Sequence, residues 1–153
     1  MEQRPQVPRP DGCAPFPDKF NLEVKKEDAF RELNFGAWEG LTYDEIVSRW
    51  PDAMANFLLH PDKLIIPQGE TFAEVQERAT RRLTELISIH EGDTIAIVAH
   101  GGILRTIVCY ALHIPLAYLW SIRHHNTAVT IFTYENHRFT VELLNSAAHL
   151  QGT

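Results

Sequence analysis

One stretch, IAIVAHGGILR at residues 95–105, most constrains how this chain folds. Its apolar, β-branched first half predicts a buried strand, the glycine pair after His100 predicts a tight turn, and its second half has helical spacing. In open α/β sheets, ligands bind at the carboxyl ends of strands, which is where His100 lies. A helix beginning there offers free N–H groups and a positive dipole end to an anion. We therefore predict an α/β fold with His100 as a candidate acid, base or nucleophile.

The bulk composition excludes several classes of function. The chain has 153 residues and a formal net charge of −6, so it has a length suited to one domain and no basic excess to neutralise nucleic acid. No apolar run approaches the ~20 residues of a membrane span, and no secretory signal is recognisable. Cys13 and Cys109 fit no zinc or redox spacing and are expected to be free thiols. We expect a cytoplasmic protein without nucleic-acid or membrane partners.

Two regions differ in their pattern along the chain. Residues 1–20 are rich in proline and lack apolar periodicity, which predicts an extended or disordered leader. Residues 21–153 carry regular signals, including capping boxes at Thr42–Glu45 and Thr71–Glu74. Few strands are available to flank the one before His100. The predicted elements are helices over 42–50, 52–59 (capped by Asp52), 71–90 and 103–112, a short helix or bent loop over 115–120, strands over 21–25 and 94–99, and a hairpin of strands 127–134 and 138–144 joined by a turn at 135–137.

Spacing alone ranks the chemically active candidates. His100 is the strongest, and the alternative is a core histidine satisfied by backbone groups. Glu32 lies at the start of a glycine-rich aromatic loop, residues 30–40, and would act as a general acid if burial raised its pKa. The alternative is an ordinary loop glutamate. Glu70 precedes a capping box, where a contribution to the helix start also explains it. Arg105 is equally compatible with substrate binding and with a salt bridge or surface contact.

Three segments in this order resemble the histidine phosphatase superfamily: FRELNFGAWEG at 30–40, PQGETF at 67–72 and VAHGGILR at 98–105. Asn126 and the closing LNSAAHL at 144–150 extend the resemblance to about residues 21–150. The branch it resembles contains phosphoglycerate mutase, broad-specificity phosphatases and α-ribazole phosphatase. The implied fold is a three-layer α/β phosphoglycerate mutase-like fold with a mixed, mostly parallel sheet.

The resemblance implies a phosphomonoester hydrolase that works through a covalent phosphohistidine on a small phosphorylated molecule. In that family one histidine attacks phosphorus, a glutamate protonates the leaving oxygen, and a second histidine with arginines holds the phosphoryl oxygens. His100 matches the second histidine and Glu32 matches the acid. No cofactor or metal is implied. The phosphate contacts that the resemblance implies come from Gly101, Gly102, Asn126 and Glu70.

The nucleophile is the main departure from the family pattern. It belongs to an Arg-His-Gly motif on the family's first strand, and neither this motif nor the family's Ser-x-x-x-Arg-Ala segment occurs in these 153 residues. We therefore expect residues 21–153 to form a truncated domain that lacks its amino-terminal strand and helix and is inactive alone. The run Arg123-His124-His125-Asn126 looks partly similar but lacks the glycine that admits phosphate, so the nucleophile is not assigned there.

Two further hypotheses stay open beside the enzyme. The chain is alternatively a non-catalytic anion-binding or regulatory module, in which the turn after His100 binds an anion without turnover. Unpaired sheet edges also predict self-association into a homodimer, which is compatible with either function. The remaining histidines match no metal-ligand spacing, so no metal site is predicted.

Overall fold

The computed structural model describes residues 24–150 of the chain. Four helices form its framework, and a two-stranded antiparallel hairpin follows them. Short 3-10 turns fill the connections between the helices. The helices are α1 (Tyr43–Arg49), α2 (Pro51–Leu59), α3 (Phe72–Ile89) and α4 (Gly101–Ala111), the strands are β1 (Val129–Glu135) and β2 (Arg138–Ser146), and the 3-10 turns are Asp28–Phe30, Gly36–Trp38, Pro61–Lys63, Leu116–Ser121 and Ala148–Leu150.

Local sequence signals explain where the helices begin. Both predicted capping boxes are present: Thr42 and Glu45 bond reciprocally at the start of α1, and Thr71 and Glu74 do so at the start of α3. The predicted cap at Asp52 is wrong, because Trp50 is the residue before α2 and Pro51 occupies its first position. A proline there has its backbone angle already set for a helix and lacks an N–H that would be unpaired in any case.

The core lies where α3 packs against α4. Val75, Ala79 and Leu83 form the buried stripe of α3, as the helical spacing predicts, and Ile103 and Ile107 face the core from α4. Cys109 is fully buried, and burial raises the pKa of its thiol. An aromatic cluster forms part of the core and its edge, and it consists of Phe35, Trp38, Phe57, Phe72 and Trp120.

The prediction of a fully buried strand over 94–99 is wrong. Within residues 24–150, no segment forms a ladder with it, and its exposure alternates along the chain. Ile97 and Ala99 pack against the core, whereas Val98 is 66% exposed. The apolar run therefore has one buried face and both backbone edges unpaired among the described residues. A ladder needs a neighbouring strand, and β-branched composition alone does not supply one.

The hairpin prediction is confirmed. β1 pairs antiparallel with β2, with Glu135 opposite Arg138, and the two residues between them, Asn136 and His137, both have positive φ angles. Two such residues form the tight turn that matches the twist of a hairpin. The predicted strand at 21–25 has no counterpart at residues 24 and 25, and residues 21–23 and the leader 1–20 lie outside the described part. None of the described helices is both long and apolar enough to cross a membrane.

Candidate active site

Glu32 leaves the backbone between two buried side chains. Phe30 and Leu33 are both packed into the core and anchor the chain on either side of it. Glu32 itself is half-buried. The buried neighbours therefore fix the backbone that carries the Glu32 carboxylate. From sequence spacing alone, an ordinary loop glutamate was the favoured interpretation.

The carboxylate of Glu32 lies on the amino-terminal end of α4. Oε2 accepts a hydrogen bond from the N–H of Gly102 at 3.0 Å, and Oε1 accepts from Ile103 at 3.2 Å and from Leu33 at 2.9 Å. The first N–H groups of a helix have no partner within the helix, and the helix dipole favours negative charge beside them. The structure thus brings together two predicted site segments that are 70 residues apart in sequence.

The glycine pair permits this approach. A Cβ atom placed on Gly102 would lie 2.5 Å from Oε1 of Glu32, which is far too close for a real contact. A Cβ on Gly101 would lie 3.0 Å from Nη1 of Arg105. The Glu32 carboxylate therefore packs directly against the glycine backbone at residue 102, and the Arg105 guanidinium lies close against that of residue 101.

His100 occupies the position immediately before α4. Its backbone is extended, its carbonyl accepts the hydrogen bond of Leu104 at 3.0 Å, and its side chain caps no helical N–H. The residue is exposed, and within residues 24–150 no hydrogen bond engages its ring. The imidazole is accordingly free to meet a ligand at the same helix end that Glu32 contacts.

Arg105 is tied into the site rather than free on the surface. Its Nε donates to the carbonyl of Ile122 at 2.8 Å, its Nη1 donates to Gly101 at 3.0 Å, and its guanidinium lies 5.3 Å from the ring centre of Trp120. Burial lowers the pKa of Arg105, and the negative charge of Glu32 acts in the opposite direction. The side chain brings a positive charge to the first turn of α4 and helps hold the 3-10 turn Leu116–Ser121 against that helix.

His124 was left without a role by the sequence analysis. It is half-buried, and its Nδ1 is inaccessible to solvent and without a partner in the described part of the chain. Burial lowers the pKa of His124, and the positive charge of Arg105 lowers it further. Both effects favour the neutral form of the imidazole. The sequence suggested His124 only as part of an incomplete nucleophile motif, because its approach to Arg105 depends on how 116–124 folds back on α4.

Asn126 and Glu70 differ from the other candidates. Asn126 is exposed in a turn, where its carbonyl accepts from the hydroxyl of Thr127 at 2.6 Å. Both carboxylate oxygens of Glu70 accept hydrogen bonds from Arg78, and one also accepts from the N–H of Asn34. No hydrogen bond in the described part joins either residue to the start of α4. Also within residues 24–150, no group of three or more His, Cys, Asp or Glu side chains is arranged to hold a metal ion.

Residues 11–147 match the family model of the histidine phosphatase superfamily (branch 1). The chain belongs to this superfamily. The match includes the loop that carries Glu32 and the turn that carries His100. It agrees with the resemblance seen in the sequence segments and confirms the α/β, phosphoglycerate mutase-like fold class.

Three proteins similar to this histidine phosphatase chain illustrate how far the similarity extends. Phosphoserine phosphatase 1 of Hydrogenobacter thermophilus is 30% identical over 130 residues, which are 85% of this chain and 62% of the relative. The solved structure of YhfR from Bacillus stearothermophilus is 32% identical with a TM-score of 0.84, covering 88% of this chain and 67% of that chain. A mutant phosphoserine phosphatase from Entamoeba histolytica, solved with phosphoserine, is 25% identical with a TM-score of 0.74, covering 86% and 66%. The chain thus spans less than two thirds of the length of the Hydrogenobacter relative.

Proposed function

We propose that this chain supplies the acid and the assisting histidine of a site that hydrolyses small phosphomonoesters. The observation that carries the proposal is the Glu32 carboxylate on the N–H groups of Gly102 and Ile103, directly after an accessible His100. Membership of the superfamily and the phosphoserine phosphatases among its relatives support the reaction class. Phosphoserine is accordingly the first substrate to test beside p-nitrophenyl phosphate.

The roles follow from the chemistry of phosphoryl transfer. A nucleophilic histidine forms the P–N bond while the P–O bond to the leaving group breaks, and the bonding electrons go to the leaving oxygen. Glu32 gives a proton to that oxygen. In the second step Glu32 removes a proton from water as the water attacks phosphorus and releases phosphate from the histidine. His100 donates a hydrogen bond to the phosphoryl oxygens, and Arg105 adds positive charge nearby.

The nucleophile is the component that these 153 residues do not contain, since no Arg-His-Gly motif occurs in them. The test compares the chain alone with a completed protein, in which the motif-bearing segment of a family member is joined before residue 11, where the family match begins. We expect no turnover of p-nitrophenyl phosphate by the chain alone and measurable turnover by the completed protein. The assay measures release of p-nitrophenolate. Samples quenched during turnover are also analysed for a covalent phosphohistidine.

Two controls make this test decisive. Replacing the histidine of the added motif by alanine is expected to abolish turnover, and His100→Ala is expected to reduce it strongly. Turnover by the chain alone at a rate comparable to the completed protein would contradict the inactivity of the chain. A completed protein that folds, binds inorganic phosphate and still shows no turnover would contradict the proposed hydrolase.

The alternative function, a self-associating module, is favoured by segment 94–99, which pairs with no other strand among residues 24–150. The segment is uncharged, contains no proline and exposes Val98, so an identical segment of a second copy can pair with it edge to edge. We expect the chain alone to be dimeric and Val98→Lys to shift it toward the monomer, because a lysine on the exposed face opposes pairing. Light scattering after size exclusion measures both masses.

Ile65→Lys is the matched control for self-association, because Ile65 is also an exposed aliphatic residue, 72% accessible, but lies in a loop outside segment 94–99. The Ile65→Lys variant is expected to have the same oligomeric mass in solution as the unmodified chain. A monomeric unmodified chain, or equal dissociation by both lysine variants, would rule out pairing through this segment.

A further inference from the structure

Arg78 on α3 holds the backbone on both sides of Glu32. Its Nη1 donates to the carbonyl of Ala29 at 2.7 Å, and its Nη2 donates to the carbonyls of Arg31 at 2.8 Å and Glu32 at 3.2 Å. These carbonyls belong to the loop that presents the Glu32 carboxylate to α4. One guanidinium on a neighbouring helix thus engages the loop at three backbone positions.

Glu70 links Arg78 to Asn34, which follows Glu32 in the same loop. Its Oε1 accepts from Nε of Arg78 at 2.7 Å, and its Oε2 accepts from Nη2 of Arg78 at 3.1 Å and from the N–H of Asn34 at 2.9 Å. The N–H of Glu70 also donates to the carbonyl of Asn34 at 2.9 Å. The hydrogen bond from Arg78 is the main reason that the pKa of Glu70 lies below its ordinary value, so the pair is charged at neutral pH.

We propose that Arg78 and Glu70 are positioning residues for Glu32. They hold the backbone before and after Glu32, at Arg31 and Asn34, so that its carboxylate reaches the N–H groups of Gly102 and Ile103. The catalytic consequence rests on the proposed function, in which Glu32 transfers the proton. The role differs from the phosphate contact that the family resemblance implied for Glu70, because both of its oxygens already accept other hydrogen bonds.

The side chain must be arginine for this role. The planar guanidinium presents its donors in a rigid fork, which allows it to hold the carboxylate with one edge while reaching carbonyls with the other. The Arg78 and Glu70 side chains are 18% and 26% exposed, so water competes only weakly with these bonds. A lysine carries a compact ammonium group that cannot span the carboxylate and the three carbonyls at once.

Arg82 on the same helix provides a control that distinguishes positioning of Glu32 from general stabilisation of the fold. It also holds a carboxylate in bidentate fashion, with Nε 2.9 Å and Nη2 2.6 Å from the two oxygens of Glu27. Its side chain is 28% exposed, a value close to that of Arg78 within the same helix. Arg82 donates to no carbonyl of residues 29–34 in the described part. Arg82→Lys is therefore a matched substitution that weakens a comparable ion pair but removes none of the hydrogen bonds that Arg78 makes to the carbonyls of Ala29, Arg31 and Glu32.

The test is amide hydrogen exchange of Gly102 and Ile103 in the isotopically labelled 153-residue chain, measured by NMR. Both amides have Glu32 oxygens as their acceptors, so their exchange reports where the carboxylate lies. Losing a hydrogen bond to a charged acceptor corresponds to about a tenfold faster exchange. We expect that increase in Arg78→Lys and in Glu70→Gln, with Glu32→Gln as the reference for a lost acceptor and Arg82→Lys unchanged.

Unchanged exchange of both amides in Arg78→Lys would overturn the positioning role, and so would an equal increase in Arg82→Lys. The measurement needs no turnover, so it can succeed while the proposed hydrolase fails. In the completed protein, Arg78→Lys is expected to lower kcat on phosphoserine with KM unchanged, because substrate binding does not use Arg78. A rise in KM without a change in kcat would contradict positioning of the proton donor.

Discussion

Glu32→Gln in the completed protein is expected to lower kcat on phosphoserine by about 10²–10⁴-fold, the range that general acid catalysis contributes. An amide cannot give a proton to the leaving oxygen, although it keeps the size of the side chain and one acceptor for the N–H groups of α4. The alkoxide of serine is a strong base and depends on that proton as it leaves. Steady-state kinetics with phosphoserine measures the loss.

The leaving group sharpens this expectation. p-Nitrophenolate is a weak base and leaves with little help, so Glu32→Gln is expected to slow its phosphate ester much less than phosphoserine. Glu39→Gln is the matched control, because Glu39 lies in the same loop but is exposed and has no part in the proposed reaction. Equal losses on both substrates, or equal losses for the two glutamine variants, would show that Glu32 is not the acid.

Phe72→Ala is expected to destabilise the fold by about 3–5 kcal/mol, the range for removing a buried phenylalanine. Phe72 is 1% exposed at the first position of α3, stacked on Phe57 at 6.1 Å and edge-on to Trp120 at 5.6 Å. Removing the ring leaves a cavity beside Phe57 and Trp120. Since small domains are stable by only about 5–15 kcal/mol, the loss is a large share of the total. Urea unfolding followed by tryptophan fluorescence measures it.

Two further variants test whether the loss of stability comes from the volume removed in the core. Phe72→Leu retains part of the volume and is expected to cost less than Phe72→Ala. Tyr118→Ala removes an aromatic ring that is 59% exposed, and such surface changes usually stay within about 0.5 kcal/mol. A cost for Phe72→Ala no larger than that for Tyr118→Ala would contradict the contribution of the buried Phe72 ring to the core.

Local features were predictable wherever nearby residues decide the outcome. The Thr42 and Thr71 capping boxes join residues three positions apart, and α3 follows from a periodic apolar stripe. The hairpin likewise needs only two adjacent runs and a tight turn. The error at Asp52 was also local: Pro51 occupies the first helical position, so the cap moves back to Trp50.

The segment before His100 shows the limit of such predictions. The apolar, β-branched composition predicts a fully buried strand, whereas only residues on one side of the segment, such as Ile97 and Ala99, pack against the core. Whether an extended segment becomes a buried strand depends on neighbours elsewhere in the chain, and no described segment provides one. The exposed Val98 is the consequence. Sequence periodicity carries no information about partners that are distant along the chain.

The sequence by itself determined the family, through three motifs in order, and determined that these residues contain no Arg-His-Gly nucleophile. It also singled out the His100 turn, because a glycine pair between two apolar runs is a local signal. Only the tertiary structure decided that Glu32 caps α4, since 70 residues separate it from Gly102. The same holds for Arg78, which looks like an ordinary surface residue of an amphipathic helix. Its role appears only when folding brings the carbonyls around Glu32 within reach of its guanidinium.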